Sequence, residues 1–343
     1  MIKTKTRFAG IVLLLFCVFS VNSFAFGADA PAEAAGPAVS QPALKPEWAS
    51  LRDRLAADGL SGQDIDGWFA SLDKGYSEKP MGIMMGALFR IKYMPPPFSF
   101  LRKPVKTPEF LPDVFTSGNI RLCAEFMRAH PDILAGVTRD YKVEAEIVVA
   151  LFMVETRLGN YMGHEEAFWS LACMSLADKP EKIHSYLDNL PTTAERLKWV
   201  SEQMDRRADW AYRELKALIE YCRLYGHDPL AITGSPFGAI GLPQFMPTNI
   251  PAYAADGDKD GVIDLFALED ALPSIARFLQ EHGWKPGLGS KQQHQIIRRY
   301  NHSDAYANTV LALAAATLKY LENHPVKTQG DPAASSLPES GAE

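Results

Sequence analysis

Apolar residues recur every three or four positions along most of this chain, the period of helices with one buried face. Trp48, Leu51 and Leu55 share one such face. Residues 61–72 predict a second helix, with Ser61 and Asp64 at capping distance. Residues 81–89 predict a third. Pro95-Pro96-Pro97 interrupts the pattern and, with residues 103–112, predicts an extended segment over the surface. Residues 119–130 predict a helix stopped by Pro131, and residues 168–176 a short buried one. Thr192 and Glu195 stand at capping-box spacing and open a long helical stretch, continuous or broken, that ends at Gly226. Its charges, Arg206, Arg207, Asp209, Arg213 and Glu214, read as a solvated face. Residues 235–249 are rich in Gly and Pro and predict irregular backbone. Residues 271–282, 296–300 and 306–321 are helical again. The pattern holds no convincing alternating strand and no internal repeat, so the class is mainly α.

The densest apolar run is Ile147 to Val154, eight residues without a break. Glu144 and Glu146 precede it, which suits the positive end of a helix dipole. Gly159 follows it, which suits a helix C-terminus. The run therefore predicts a buried helix rather than a strand. Ile147, Leu151, Val154 and Leu158 fall on one stripe, with Glu155 on or beside it. A glutamate there has two readings. It can pair with an arginine at the helix end. It can also be stripped of water, which disfavours the charged form, raises the pKa and lets the group donate a proton near neutral pH.

The ends and the charge narrow the picture. The chain has 343 residues, 47% hydrophobic and 22% charged, which fits one large or two ordinary globular domains. A net charge of −6 without a long basic run argues against nucleic acid as a partner. Residues 1–27 combine Lys3, Lys5 and Arg7, an apolar stretch over 11–20 and Ala25-Phe26-Gly27, the pattern of a secretory signal peptide. Phe16 before Cys17 is bulky where a lipid-anchored signal has a small residue, so a released protein is expected. Residues 28–43 predict a disordered linker and residues 326–343 a disordered tail, leaving 44–325 as the folded domain. Cys123, Cys173 and Cys222 remain after export. An odd number gives no complete disulfide framework, so each is expected as a small buried residue.

Asp256-Gly257-Asp258-Lys259-Asp260-Gly261-Val262-Ile263-Asp264 has the spacing of the first nine positions of an EF-hand loop. Oxygen ligands fall at positions one, three and five, the sharp-turn glycine is Gly261, and Val262 can offer its carbonyl. Ile263 stands where such loops make a short strand contact. Position twelve is Ala267 rather than Glu, but Asp270 can close a longer loop. Carboxylates this close repel without a cation. A flexible all-oxygen cage suits Ca2+ better than Mg2+, in a structural role.

Three separated stretches point one way: Val154-Glu155-Thr156-Arg157 with Gly159 and Met162-Gly163; Gly238-Ala-Ile-Gly241-Leu-Pro-Gln244-Phe245-Met246-Pro247; and Tyr300-Asn301 with Tyr306. Together they resemble the lytic murein transglycosylase B family over residues 44–322. The resemblance implies a lysozyme-like helical core, an N-terminal helical region and an EF-hand-like calcium loop inserted over 256–270. It implies Glu155 as the single catalytic acid and base. It implies Ser235, Gln244, Tyr300, Asn301 and Tyr306 along the substrate cleft, and Asp256, Asp258, Asp260, Val262 and Asp270 around Ca2+. The implied reaction cleaves the MurNAc–GlcNAc β-1,4 bond of peptidoglycan without water and leaves 1,6-anhydroMurNAc ends. The implied setting is the periplasm, with glycan strands as the partner of a monomer that meets cell-wall machinery transiently. Phe278 stands where the family has Tyr, Leu242-Pro243 replaces a Tyr-Gly-like pair, and Leu158 replaces Trp. Residues 178–191 match nothing in it. A lysozyme-type hydrolase and a non-catalytic wall-binding protein are the alternatives, separated by the product ends and by the effect of Glu155→Gln.

Overall fold

The structure is a computed structural model that describes residues 44–94, 109–188 and 190–325. The expected signal peptide, linker and tail lie outside these residues, as does the proline segment up to residue 108. In chain order the α-helices are α1 Pro46–Ala57, α2 Gln63–Ser71, α3 Lys79–Tyr93, α4 Ser117–Ala129, α5 Pro131–Tyr141, α6 Ala145–Thr156 and α7 Ala167–Leu176. Then come α8 His184–Leu187, α9 Ala194–Tyr225, α10 Ile250–Tyr253, α11 Leu268–Glu281, α12 Ser290–Tyr300 and α13 Asp304–Asn323. Two short strands, β1 Glu165–Glu166 and β2 Thr233–Gly234, pair antiparallel. The mainly α class read from the sequence stands.

Helix α6 is apolar on every side, and such a helix must be covered on every side. Residues 147–154 are all buried, and α4, α5, α11 and α13 pack around them. Each Leu, Ile, Val or Phe so buried contributes about 1.5–3 kcal/mol. Helix α7 is likewise buried from Ala167 to Ser175 and lies along α9, with α3 and α1 against it. The N-terminal helices thus complete the cover of α7, while α6 anchors the C-terminal half. Cys123, Cys173 and Cys222 are free and buried, as expected.

Local expectations fail where tertiary contacts decide. Pro131 ends α4 but also opens α5, because proline suits the first turn of a helix; that helix is absent from the sequence reading. Helix α2 starts after Gly62 with no side-chain cap, and Asp64 instead pairs with Arg223 at 2.7 Å. The cap of α9 is Thr193, not Thr192, and the helix runs unbroken for 32 residues. Of its charges, Arg206, Asp209 and Arg213 are exposed as expected, but Glu214 departs from the solvated face and is only 3% exposed. Within the unmatched stretch, Pro180–Ile183 form a 3-10 turn and His184–Leu187 form α8, and Ile183, Leu187 and Leu190 are seated in the core.

Candidate active site

Glu155 occupies the last turn of α6, where the helix meets two other segments. The helix stops at Thr156 because Arg157, Leu158 and Gly159 all take positive φ, at 55°, 57° and 86°. The left-handed cap is therefore Arg157, not Gly159, and Leu158 leaves the helical stripe. Left-handed conformations on non-glycine residues cost free energy and persist only when neighbours over-determine them. Thr156 supplies much of that determination. Its buried hydroxyl lies 3.4 Å from the Phe152 carbonyl and 3.3 Å from the Leu242 carbonyl, and accepts the Gly159 N–H at 3.1 Å. Its carbonyl accepts the Tyr161 N–H at 2.8 Å. One side chain thus shapes the turn beside Glu155 and ties it to the loop at Leu242.

That loop, residues 235–249, is irregular but well bonded. Ser235 is buried, and its hydroxyl accepts the N–H groups of Phe237 at 3.3 Å and Ala239 at 3.0 Å. Gly163 lies so close to β2 that a Cβ on it would meet the Gly234 carbonyl oxygen at 2.0 Å, so no other residue fits. Gln244 takes φ 51°, and its amide nitrogen donates to the carbonyls of Met162 at 3.1 Å and Gly241 at 3.0 Å. Gln244 therefore joins the loop to the segment following Glu155. Its Nε2 groups are spent on the frame rather than pointed wholly at a ligand.

The third segment is the junction of α12 and α13. Tyr306, in the first turn of α13, is fully buried and donates its hydroxyl to the Glu155 carboxylate. Tyr300, closing α12, donates instead to the Pro243 carbonyl at 2.5 Å. The two tyrosines, both expected near Glu155, thus divide: one touches the acid, the other holds the loop. Asn301 follows Tyr300 at the helix end and is half-buried. Phe278 packs edge-on against Tyr253 and Tyr300, each at 4.7 Å, and stacks on His282 at 4.2 Å. A ring without a hydroxyl suits that apolar setting.

Dense packing strips most water from the Glu155 carboxyl although its edge reaches the surface. Burial pushes its pKa up to about 7, and the Tyr306 hydrogen bond holds it back from rising further. Of the two readings of this residue, the desolvated acid describes its surroundings.

The acidic loop leaves the same loop frame. Leu265 accepts the Leu242 N–H at 2.8 Å, and a Cβ on Gly241, at φ 70°, would meet the Leu265 Cβ at 2.6 Å. Carboxylate oxygens of Asp256, Asp258 and Asp260 converge within 4.8 Å of one another. Asp256 Oδ1 is buried with no hydrogen-bond partner among the described residues. A cluster of oxygens with one buried and unpartnered fits a hard cation. Asp270 is buried and accepts the Gly257 and Asp264 N–H groups, each at 2.7 Å, so it braces the loop from within. The Val262 N–H donates to Asp260 at 2.7 Å. Ile263 makes no strand contact among the described residues; its carbonyl accepts Tyr221 at 3.0 Å and lies 2.9 Å from His227.

Residues 43–293 match the transglycosylase SLT domain family. The chain belongs to that family. The membrane-bound lytic murein transglycosylase B of Escherichia coli strain K12 is 32% identical over 172 residues, half of this chain and 40% of that protein. The match thus spans less than half of that relative's length. Among solved structures, the soluble lytic transglycosylase SltB1 from Pseudomonas aeruginosa superposes with TM-score 0.60 at 23% identity, covering 81% of this chain and all of that one. The Escherichia coli lytic transglycosylase Slt35 in complex with calcium superposes with TM-score 0.58 at 22% identity, covering 80% of this chain and 93% of that one. This member of the transglycosylase SLT domain family therefore has the fold of the lytic transglycosylases, as its sequence motifs implied. Its Glu155 and Tyr306 meet at the seam of three segments far apart in the chain. The bond from Thr156 to the Leu242 carbonyl was not legible in the motifs that contain both residues, because a single hydroxyl bonded to a backbone atom leaves no periodic trace.

Proposed function

We propose that this protein is a lytic transglycosylase of peptidoglycan, with Glu155 as both acid and base. The carrying observation is a single carboxyl group, raised to about pKa 7 by burial and touched by Tyr306, in a chain of this family. A glycosidase normally uses two carboxylates, but a substrate can supply its own nucleophile. Glu155 protonates the glycosidic oxygen as the C1–O4 bond breaks. The acetamido oxygen of the same muramoyl sugar bonds to C1 and carries the charge as an oxazolinium. Glu155, now a carboxylate, takes the proton of that sugar's C6 hydroxyl. O6 bonds to C1, the acetamido oxygen leaves, and a 1,6-anhydro ring closes. Water is not consumed, and Glu155 ends protonated as it began.

Ser235, Gln244, Tyr300 and Asn301 frame the cleft in this reading, and Tyr306 orients the acid. The Asp256, Asp258 and Asp260 cluster would hold Ca2+, with the Val262 carbonyl and Asp270 as further oxygens of the loop, and the ion would supply the positive charge that offsets the crowded carboxylates. Support comes from the unpartnered Asp256 oxygen and from the calcium bound in the similar Slt35 structure. The substrate and the signal-like residues 1–27 together argue for the periplasm. No described helix is long and apolar enough to cross a membrane. Glycan strands are the partner, met by a monomer.

Digestion of purified cell wall in heavy-oxygen water tests the reading. The expected fragments carry unlabelled 1,6-anhydromuramoyl ends, lighter by one water than reducing ends. Labelled reducing ends as the main product would replace it with a hydrolase.

A further inference from the structure

Glu214 is the charged residue on α9 whose position the mechanism does not use and the core does not explain. It is 3% exposed, three residues after buried Ala211 and four before buried Leu218. Placing a carboxylate there costs free energy unless its oxygens are bonded. They are. One oxygen accepts the Thr248 N–H at 2.9 Å, and the other faces the Thr248 hydroxyl at 2.9 Å. Burial pushes the Glu214 pKa up, while the Thr248 bonds oppose the rise.

Thr248 closes the segment that begins at Gly241. Within it lie the Pro243 carbonyl that takes the Tyr300 hydroxyl, the Gln244 amide that ties Met162, and Phe245, whose ring lies 5.9 Å from that of Tyr300. At its other end, the Leu242 carbonyl meets Thr156, next to Glu155. The loop is thus held at one end by the catalytic helix and at the other by α9. Thr248 is itself exposed, so without Glu214 water competes for its N–H and the far end of the loop loses that tie.

We propose that Glu214 is a positioning residue for the reaction of Glu155, acting through Thr248 on the 241–249 loop. The inference rests on the transglycosylase reading for its kinetic consequence but not for its structural one. The test therefore has two readouts, taken well below the melting temperature: turnover of cell wall and amide hydrogen exchange of residues 241–249. Glu214→Ala is expected to lower kcat about tenfold or more, the scale of losing a hydrogen bond to a charged group. It should also speed exchange of the Thr248 amide by a similar factor. Glu214→Gln keeps an acceptor for that amide and should restore most of both. If Glu214→Ala fails to fold, Thr248→Val, which removes only the hydroxyl bond, should lower kcat and loosen the loop in the same direction. Variants that merely melt lower, with wild-type kcat per folded molecule and wild-type exchange, overturn the proposal. If the wild-type protein does not cut cell wall, the transglycosylase reading fails on its own. Unchanged exchange in the variants would then overturn the positioning role separately.

Discussion

The end of α6 and the acidic loop at 256–264 treat negative charge in opposite ways. At α6 a single carboxyl is packed among apolar side chains, and the fold offers it a tyrosine hydroxyl instead of a cation. Burial alone then makes it an acid near neutral pH. In the loop, three carboxylates converge within 4.8 Å in a largely exposed segment, and no lysine or arginine pairs with them among the described ion pairs. Crowding of this kind is relieved by an ion from solution rather than by protonation. The same functional group is suited to carry a proton when isolated from water and to ligate a cation when gathered in it. The two sites are joined by the Leu242–Leu265 backbone bond, so the loop can stiffen the wall of the cleft without touching the acid.

The largest expected effect breaks the α6 side of this comparison. Glu155→Gln should fold normally and lose at least about two orders of magnitude in turnover of cell wall, the usual scale of general-acid catalysis. Stability should move the other way. A carboxyl whose folded pKa is raised from 4.5 to about 7 binds its proton more tightly when folded. The wild type therefore loses stability as pH rises through that window, while the amide does not. Melting curves should show Glu155→Gln gaining on the wild type as pH rises from 4.5 to about 7 and keeping that gain above it, with the gap closing below pH 4.5. Equal melting at all pH values would show that burial does not set the pKa of Glu155.

Tyr306→Phe sharpens the same side with a smaller effect. Its hydroxyl favours the charged form of Glu155, so removing it should raise the pKa further. The fall of kcat/KM on the alkaline side should shift to higher pH, and the rate at its maximum should drop about tenfold, the scale of one hydrogen bond to a charged group. A profile shifted to lower pH contradicts the geometry.

The gentlest prediction addresses the loop. Stripping divalent cations should lower the melting temperature, and added Ca2+ should restore it by binding the folded state alone. Asp260→Ala should melt at one temperature with or without Ca2+. Turnover measured well below melting should change less than in Tyr306→Phe, because the loop acts on the cleft only through its frame. Melting of stripped protein that ignores Ca2+ would remove the cation from the loop.

Much was legible in residue patterns. The unbroken apolar run at 147–154 dictates a helix covered on every side, and α6 is that helix. The period of the remaining segments foretold most helices, and the alternating aspartates foretold the convergence of their oxygens. These features follow from neighbours in the chain, where spacing and side-chain type settle the outcome. Glu214 was legible in position, midway between Ala211 and Leu218 on the apolar face of α9, but its charge suggested solvent. Only Thr248, 34 residues away, makes burial of that charge tolerable. Tyr300 and Tyr306 stand six positions apart and look alike in sequence. The packing of α12 and α13 against the loop sends one hydroxyl to Pro243 and the other to Glu155. Helix α5 and the left-handed Arg157 cap were hidden for the same reason. The proline that stops one helix can start another, and a strained turn is held by a hydroxyl and a carbonyl 86 residues apart. The chain's own pattern determined most of the helices and which residues are candidates for chemistry. The tertiary structure decided which of those residues meet, because the bonds that place them are made across the fold rather than along it.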